Sequence, residues 1–332
     1  MHFAIQQASE HASNAMRRNA HGKVVAVFSR SFYVELKPAL ICIGTSTLTN
    51  SPLNVISDAP SSVEWQTCGL QVGDPIETSP SHLSVAESLT FSWTEAEIWQ
   101  PPDPPANWSR QSLSAGLGEL DRLAATKLPD QGLGYNILSD QPDPGTRVAD
   151  FAAHPIQHFQ DWLQQSLTDP GFVSPEPLRR VVPLLGLGPG LTPSGDDFLG
   201  GAMIALHHLS QPAVARSIAD LIREHGKRAT TSISIAHLEA AAKGLGSELL
   251  HNAINGIMGG KHTITNDILM AVDQIGHCSG WDALAGAVIV LRIWLDIKAS
   301  AKLHSLITST KDPIGNQIGP VVERMLSEYW KK

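Results

Sequence analysis

The residues best placed to do chemistry lie in Gly186–Gly201, which reads GLGPGLTPSGDDFLGG. Gly186, Gly188 and Gly190 alternate, and glycine takes left-handed backbone without strain. A helix should begin directly after them. Either Thr192 caps it with Pro193 at the first helical position, or Ser194 caps it with Asp197 three residues on. Phe198, Leu199, Met203, Ile204 and Leu206 carry it forward as an apolar helix. A glycine loop running into a helix start leaves backbone N–H groups for an anion such as phosphate or a carboxylate. Gly188, Gly190, Thr192, Ser194 and Gly195 are therefore candidate substrate- or phosphate-binding residues.

The unit recurs further along the chain. Ser194–Leu206 (SGDDFLGGAMIAL) and Ser279–Leu291 (SGWDALAGAVIVL) are 279 − 194 = 85 residues apart and share eight of thirteen residues. The second copy follows Gly276 and adds Ser279, Gly280 and Asp282 to the candidate binding set. Small residues sit near both starts: Gly200, Gly201 and Ala202 in one, Ala285, Gly286 and Ala287 in the other. They let two helix backbones approach closely, so the spacing predicts a helix pair related by an approximate twofold axis, with both loops at one pocket. Asp197 aligns with Asp282, whereas Asp196 aligns with Trp281. Capping does not demand Asp196, which makes it the residue expected to serve chemistry rather than stability. Asp196, Asp197 and His277, in the second loop, are the candidate catalytic residues.

Carboxylates at the positive ends of helices repel a bare anion. The arrangement fits a ligand with both an anionic end and amide N–H groups, or a phosphate bridged by Mg²⁺. Blander readings stand beside these. A Ser-x-x-Asp start is often only a cap, and glycines also serve tight turns. The loop is neither a Walker loop, which needs Lys-Ser/Thr, nor a Rossmann fingerprint, which needs a βαβ unit. His207-His208 reads as packing and Cys278 as inert. Arg179-Arg180 could clamp a carboxylate or face solvent, and Lys227-Arg228 opens toward a further helix start.

The rest of the chain must position this motif. The 332 residues carry a net charge of −8, with 42% hydrophobic and 17% charged residues. That is a globular composition without the basic footprint of a nucleic-acid binder. Three scattered cysteines indicate neither a disulfide framework nor a zinc ribbon. The opening MHFAIQQASEHASNAMRRN lacks an apolar secretion core, and Ala283–Leu295 contains Arg292 and is too short to span a bilayer. A cytoplasmic protein without a membrane or nucleic-acid partner is the expectation.

Lys23–Phe28, Phe32–Leu36, Ala39–Ile43, Leu53–Ile56 and Leu70–Val72 read as strands separated by turn residues. Their spacing suggests a barrel or sandwich over residues 20–100. Gln100–Pro105 (QPPDPP) is a stiff linker. Residues 101–150 are read as linker and connecting helix (Trp108–Thr126), with Asp130–Pro144 as loop. A helical domain follows over 151–330, with helices at Val148–Leu167, Pro212–His225, Thr231–Lys243, Glu248–Ile257, Asn266–Ile275, Trp281–Lys298 and Gly319–Tyr329. The fold class is α+β.

The first motif, the later GHCSGWDALAG and the intervening Thr231–Gly244 resemble a bacterial family once described as carboxylases, which includes the third subunit (AllH type) of oxamate carbamoyltransferase. GKVVAVFSRSFYVEL and SPLNVISD resemble the family's opening strands, and Cys278 stands where serine is the expected residue. The resemblance implies interconversion of oxalurate plus phosphate with oxamate plus carbamoyl phosphate in allantoin and purine catabolism. It also implies partner subunits. Two other readings stay open: an assembly subunit without chemistry, and a stand-alone carboxylase or lyase acting on a small carboxylate.

Overall fold

The computed structural model describes residues 1–309 apart from 19, 87, 94, 125–126, 139–145 and 170–174. The helix expected at Gly319–Tyr329 lies outside them. In chain order the first elements are β1 (His2–Ser9), α1 (Glu10–Met16), β2 (His21–Val27), β3 (Ser31–Leu36), β4 (Ala39–Gly44) and β5 (Asn54–Ser57). The short strands β6 (Pro75–Thr78), β7 (His82–Val85), β8 (Leu89–Ser92) and β9 (Glu97–Trp99) follow. Pairing runs β5-β4-β3-β2-β6-β7-β8-β1, and β5 returns to β1, so eight strands close a ring. The ninth, β9, extends the edge of β8 along β1, at Gln7–Ser9. Closure removes unpaired edges.

Alternation along the strands turns Val24, Phe32, Val34, Ile41, Ile43 and Val55 inward. They surround an aromatic centre of Trp65, Phe32 and Phe91, with ring centroids 5.3–6.0 Å apart. The barrel begins at His2 rather than near residue 20, because β1 supplies the closing strand. Leu70–Val72 is not a strand: Gly69 and Gly73 take φ of +81° and +98° and turn the chain there.

Ten helices follow among the described residues. They are α2 (Arg110–Ala124), α3 (Gly134–Leu138), α4 (Arg147–Thr168), α5 (Pro175–Arg179), α6 (Ser194–His208) and α7 (Pro212–Ala229). After these come α8 (Ser232–Ala241), α9 (Glu248–Gly259), α10 (Asn266–Val272) and α11 (Ser279–Ser309). Capping residues mark several starts: Thr146 accepts from Ala149 N, Thr231 from Ser234 N and Thr265 from Ile268 N. Helix α6 is buried on nearly all faces, as its apolar sequence requires of a core helix. It packs most extensively on α11, and α4, α7 and α8 surround the pair. No described helix is long and apolar enough to cross a membrane.

The barrel meets the helical region along β4 and α8, where Leu40, Leu53 and Ile233 share a small apolar cluster. The Glu248 N–H at the start of α9 donates to Asn50 O at 2.9 Å, and Asn50 Nδ2 returns a bond to the Glu248 carboxylate at 3.0 Å.

Candidate functional site

The duplicated units fold against each other as reciprocal halves. A Cβ on Gly201 would lie 1.8 Å from Ala283 O, and one on Gly286 would lie 1.9 Å from Phe198 O. Since 283 − 198 and 286 − 201 both equal 85, the two contacts are the same contact seen from either side, the mark of a local twofold axis. The loops correspond as well. Gly195 N donates to Leu187 O and Gly280 N to Ile275 O, both at 2.9 Å. Gly188 and Gly276, the next residues after those carbonyls, both take positive φ, +116° and +63°. The second loop is the same turn with three residues fewer, which the 85-residue offset of the helices alone does not reveal.

The helix starts touch. Thr192 Oγ1 and Ser279 Oγ lie 3.1 Å apart, and Ser194 Oγ and Cys278 Sγ 3.8 Å apart. The hydroxyls thus reach across to the other copy instead of capping their own helix. The residue at the N-cap of α6 is Pro193, with no side-chain cap bond, so neither sequence alternative for the cap is realised.

The carboxylates meet different partners. Asp196 is 1% exposed. Its Oδ1 accepts from Gly186 N at 2.9 Å, and its Oδ2 from Ser234 Oγ at 2.6 Å and from Thr230 Oγ1. It ties the glycine loop to the start of α8, a structural duty that its unmatched position in the repeat did not announce. Asp282 does not cap its helix either. Its Oδ1 accepts from Leu133 N at 2.5 Å and Gly134 N at 3.2 Å, within the turn Gly132-Leu133-Gly134. Gly132 takes φ of +81° and a Cβ there would collide with that carboxylate. Burial raises the Asp282 carboxyl above its ordinary range, opposed by those N–H groups and by Ser194 and Cys278.

Asp197 is half-buried, and its Oδ2, like that of Asp282, is closed to water and without a hydrogen-bond partner among the described residues; unlike Asp282, Asp197 lines a cavity. Burial lifts its carboxyl well above the usual carboxylate range. Asp282 and Asp196 push the same way, and the hydroxyls of Ser279 and Thr192 oppose.

Asp197, Thr192 and Ser279 form one side of a cavity of about 300 Å³ between the helical region and the barrel. Ser234 and His237 of α8 and Tyr33 of β3 also line it. That is the lower end of ligand-pocket sizes, suited to a small metabolite. No Lys or Arg is among the residues that line it. Tyr33 and His237 escaped sequence reasoning because they are lone residues on separate elements, with no spacing signal to join them.

The other sequence candidates are placed as follows. His277 is exposed on the second loop and does not line the cavity. Gly190 sits at an exposed loop tip with φ of +97°. Gly195 and Gly280 have their N–H groups committed to carbonyls, and Cβ atoms there would lie about 2.0 and 2.1 Å from Leu184 O and Val272 O. The amides of Asp196 and Asp197 both point to Pro193 O. Arg179 pairs with Glu224 and Glu176 at the surface. His207 bonds Ala242 O at 3.0 Å, and His208 packs on His251 in the interior. Burial pushes the Cys278 thiol up to about 12, as an inert thiol requires. Among the described residues no group of three or more His, Cys, Asp or Glu side chains is arranged to hold a metal ion.

A closed eight-stranded barrel joined to a helical region built on a twofold pair of glycine-loop helices defines an α+β protein with a small cavity lined by both parts. Residues 184–291 match the family model described as oxamate carbamoyltransferase subunit AllH, and residues 4–98 match that of the AllH family N-terminal domain. The chain belongs to the AllH family. No solved structure matches it.

Proposed function

We propose that the chain serves as the AllH-type subunit of a carbamoyltransferase complex in allantoin and purine nitrogen catabolism, acting in the cytoplasm with other subunits of that complex. The reaction is oxalurate plus phosphate to oxamate plus carbamoyl phosphate. A phosphate oxygen attacks the terminal carbamoyl carbon, the bond from that carbon to the oxamate nitrogen breaks, and the nitrogen takes a proton. The observation that carries this reading is Asp197, held at the meeting of two helix starts with a buried, unpartnered oxygen at the edge of a small cavity. A carboxyl whose proton affinity is raised donates hydrogen bonds as an acid and accepts them from ureido N–H groups. Asp196, its oxygens already engaged, supports that geometry through Gly186 and α8. Thr192 and Ser279, both on the cavity wall, supply hydroxyl contacts for the phosphate or the oxalurate carboxylate, and the glycine loop from Gly188 holds Thr192 there.

The test is reconstitution with the partner subunits and measurement of carbamoyl phosphate formed from oxalurate and phosphate. Loss of an acid of this kind costs about 10²–10⁴ in rate. Asp197→Asn should therefore lower kcat at least about a hundredfold at unchanged melting temperature. Full activity in that variant would remove Asp197 from the chemistry. The assembly-subunit reading is favoured by one observation, the lack of any cationic side chain on the cavity wall. It requires the reconstituted complex to keep its activity when Asp197 is replaced.

A further inference from the structure

The barrel side of the cavity carries a polar pair that lies outside both glycine motifs. Tyr33 of β3 and His237 of α8 are 204 residues apart in sequence, and the phenol oxygen stands 3.2 Å from Nε2. Their rings meet edge-on, with centroids 6.3 Å apart and planes at 76°. Both residues line the cavity together with Asp197. Burial pushes the His237 imidazole down to about 4, and burial followed by the Cys42 thiol lifts the Tyr33 phenol well above its ordinary value. At neutral pH the pair is uncharged. A neutral imidazole has one donor and one acceptor. In one tautomer Tyr33 donates to Nε2; in the other Nε2–H donates to Tyr33, whose hydroxyl is then free to donate elsewhere. The phenol oxygen keeps accepting capacity in both.

The wall chemistry selects its occupant. A carboxylate or phosphate pushed into this space would lose its water and meet no Lys or Arg. A neutral planar amide meets complementary groups on both sides, since it has N–H donors and a carbonyl acceptor. We infer that Tyr33 and His237 hold the uncharged amide end of the ligand, a carbamoyl or ureido group, against Asp197. The barrel thereby supplies half of the binding site, and any anionic end of the ligand stays toward the glycine loop. This deepens the proposed function, because it concerns the same cavity, but it rests on a different wall.

The experiment measures binding to the full chain with its partner subunits, using three probes: oxamate, the uncharged ethyl oxamate, and oxalate, which has no amide. Both amides should bind better than oxalate. Tyr33→Phe, which keeps the ring, should weaken both amides about tenfold, the value of one neutral hydrogen bond. It should leave oxalate binding unchanged and lower the melting temperature by no more than a few degrees, the cost of the lost bond to His237. His237→Leu should act on the same probes. Amide affinities within twofold of wild type in Tyr33→Phe would overturn the inference, as would oxalate binding more tightly than the amides or no binding of either amide. The two readings fail separately. Amide binding through Tyr33 in a complex that never turns over oxalurate sinks the reaction and leaves this site standing. Oxalurate turnover indifferent to Tyr33→Phe does the opposite.

Discussion

Asp196→Ala removes one side chain that three donors share: the N–H of Gly186 and the hydroxyls of Thr230 and Ser234. The site is 1% exposed, so the abandoned donors cannot all turn to water. An unsatisfied buried donor costs about 1–3 kcal/mol. The two hydroxyls can rotate toward other acceptors and fall at the low end, about 1 kcal/mol each, whereas the Gly186 N–H is fixed and takes about 1–2 kcal/mol more. The sum is about 3–4 kcal/mol, equivalent to a drop of roughly 10 °C in Tm for a domain of a couple of hundred residues. Asp197→Asn, by contrast, keeps an amide oxygen that can still accept from the hydroxyls of Ser279 and Thr192. It replaces a carboxyl that burial already disfavours in its charged form, so stability should stay within about 1 kcal/mol of wild type. Chemical denaturation followed by tryptophan fluorescence measures both, with Trp281 and Trp162 reporting from the helical core. Asp196→Ala within 1 kcal/mol of wild type, or Asp197→Asn more damaging than Asp196→Ala, would refute the assignment of roles.

Gly201→Ala and Gly286→Ala should each destabilise the α6–α11 pair by at least the 1–3 kcal/mol typical of overpacking, and by similar amounts, because each Cβ would meet the symmetry-related carbonyl within 2 Å; widely different losses would argue against the twofold axis. Burial lowers His237 to about 4 and His251 to about 3, so both bind a proton less readily folded than unfolded. Their contribution to stability is full above the unfolded value near 6.5 and is lost as pH falls toward 4 and 3, at no more than about 1.4 kcal/mol per pH unit each and less for His237, which borders the cavity. Asp197 and Asp282, raised rather than lowered, act in the opposite sense. The check is therefore the difference between wild type and His251→Gln, whose stability should fall less steeply between pH 7.5 and 5; parallel curves would remove His251 as the cause. Cys42 and Cys278, both pushed up to about 12, should resist iodoacetamide at pH 8 in the folded protein and react on unfolding; rapid labelling of folded Cys278 would contradict its inert reading.

The repeated glycine-loop helix was legible from residues alone, because close helix crossing needs glycine at the contact and the same need in both halves leaves matching sequence. Gly201 and Gly286 are that signal, and the twofold contact is its consequence. The longer strands β2 to β4 and most helices were equally legible from alternation and helical spacing, and the four-residue β5 was read from its apolar Val55-Ile56. Strands β6 to β9 were not: three or four residues carry too little pattern, and only pairing with their neighbours makes them strands. Nor did β1 declare itself, since its role is to close a ring in which its partner β8 lies 92 − 4 = 88 residues away.

Which donors each carboxylate meets was decided by tertiary structure alone. Sequence alignment within the repeat marks Asp196 as the odd residue, but what a carboxylate does depends on who donates to it. Those donors, Gly186, Thr230 and Ser234 for Asp196, and Leu133 and Gly134 for Asp282, come from separate segments that folding brings together. Asp197 and Asp282 are each left with one oxygen that no described residue satisfies, and of the two only Asp197 lines the cavity. Tyr33 and His237 make the same point from the other wall. Neither stands in a motif, and their meeting at 3.2 Å exists only because the barrel docks on α8. Sequence determined that two helix starts would face one another; the chain's long-range packing determined which polar groups around them remain free to act.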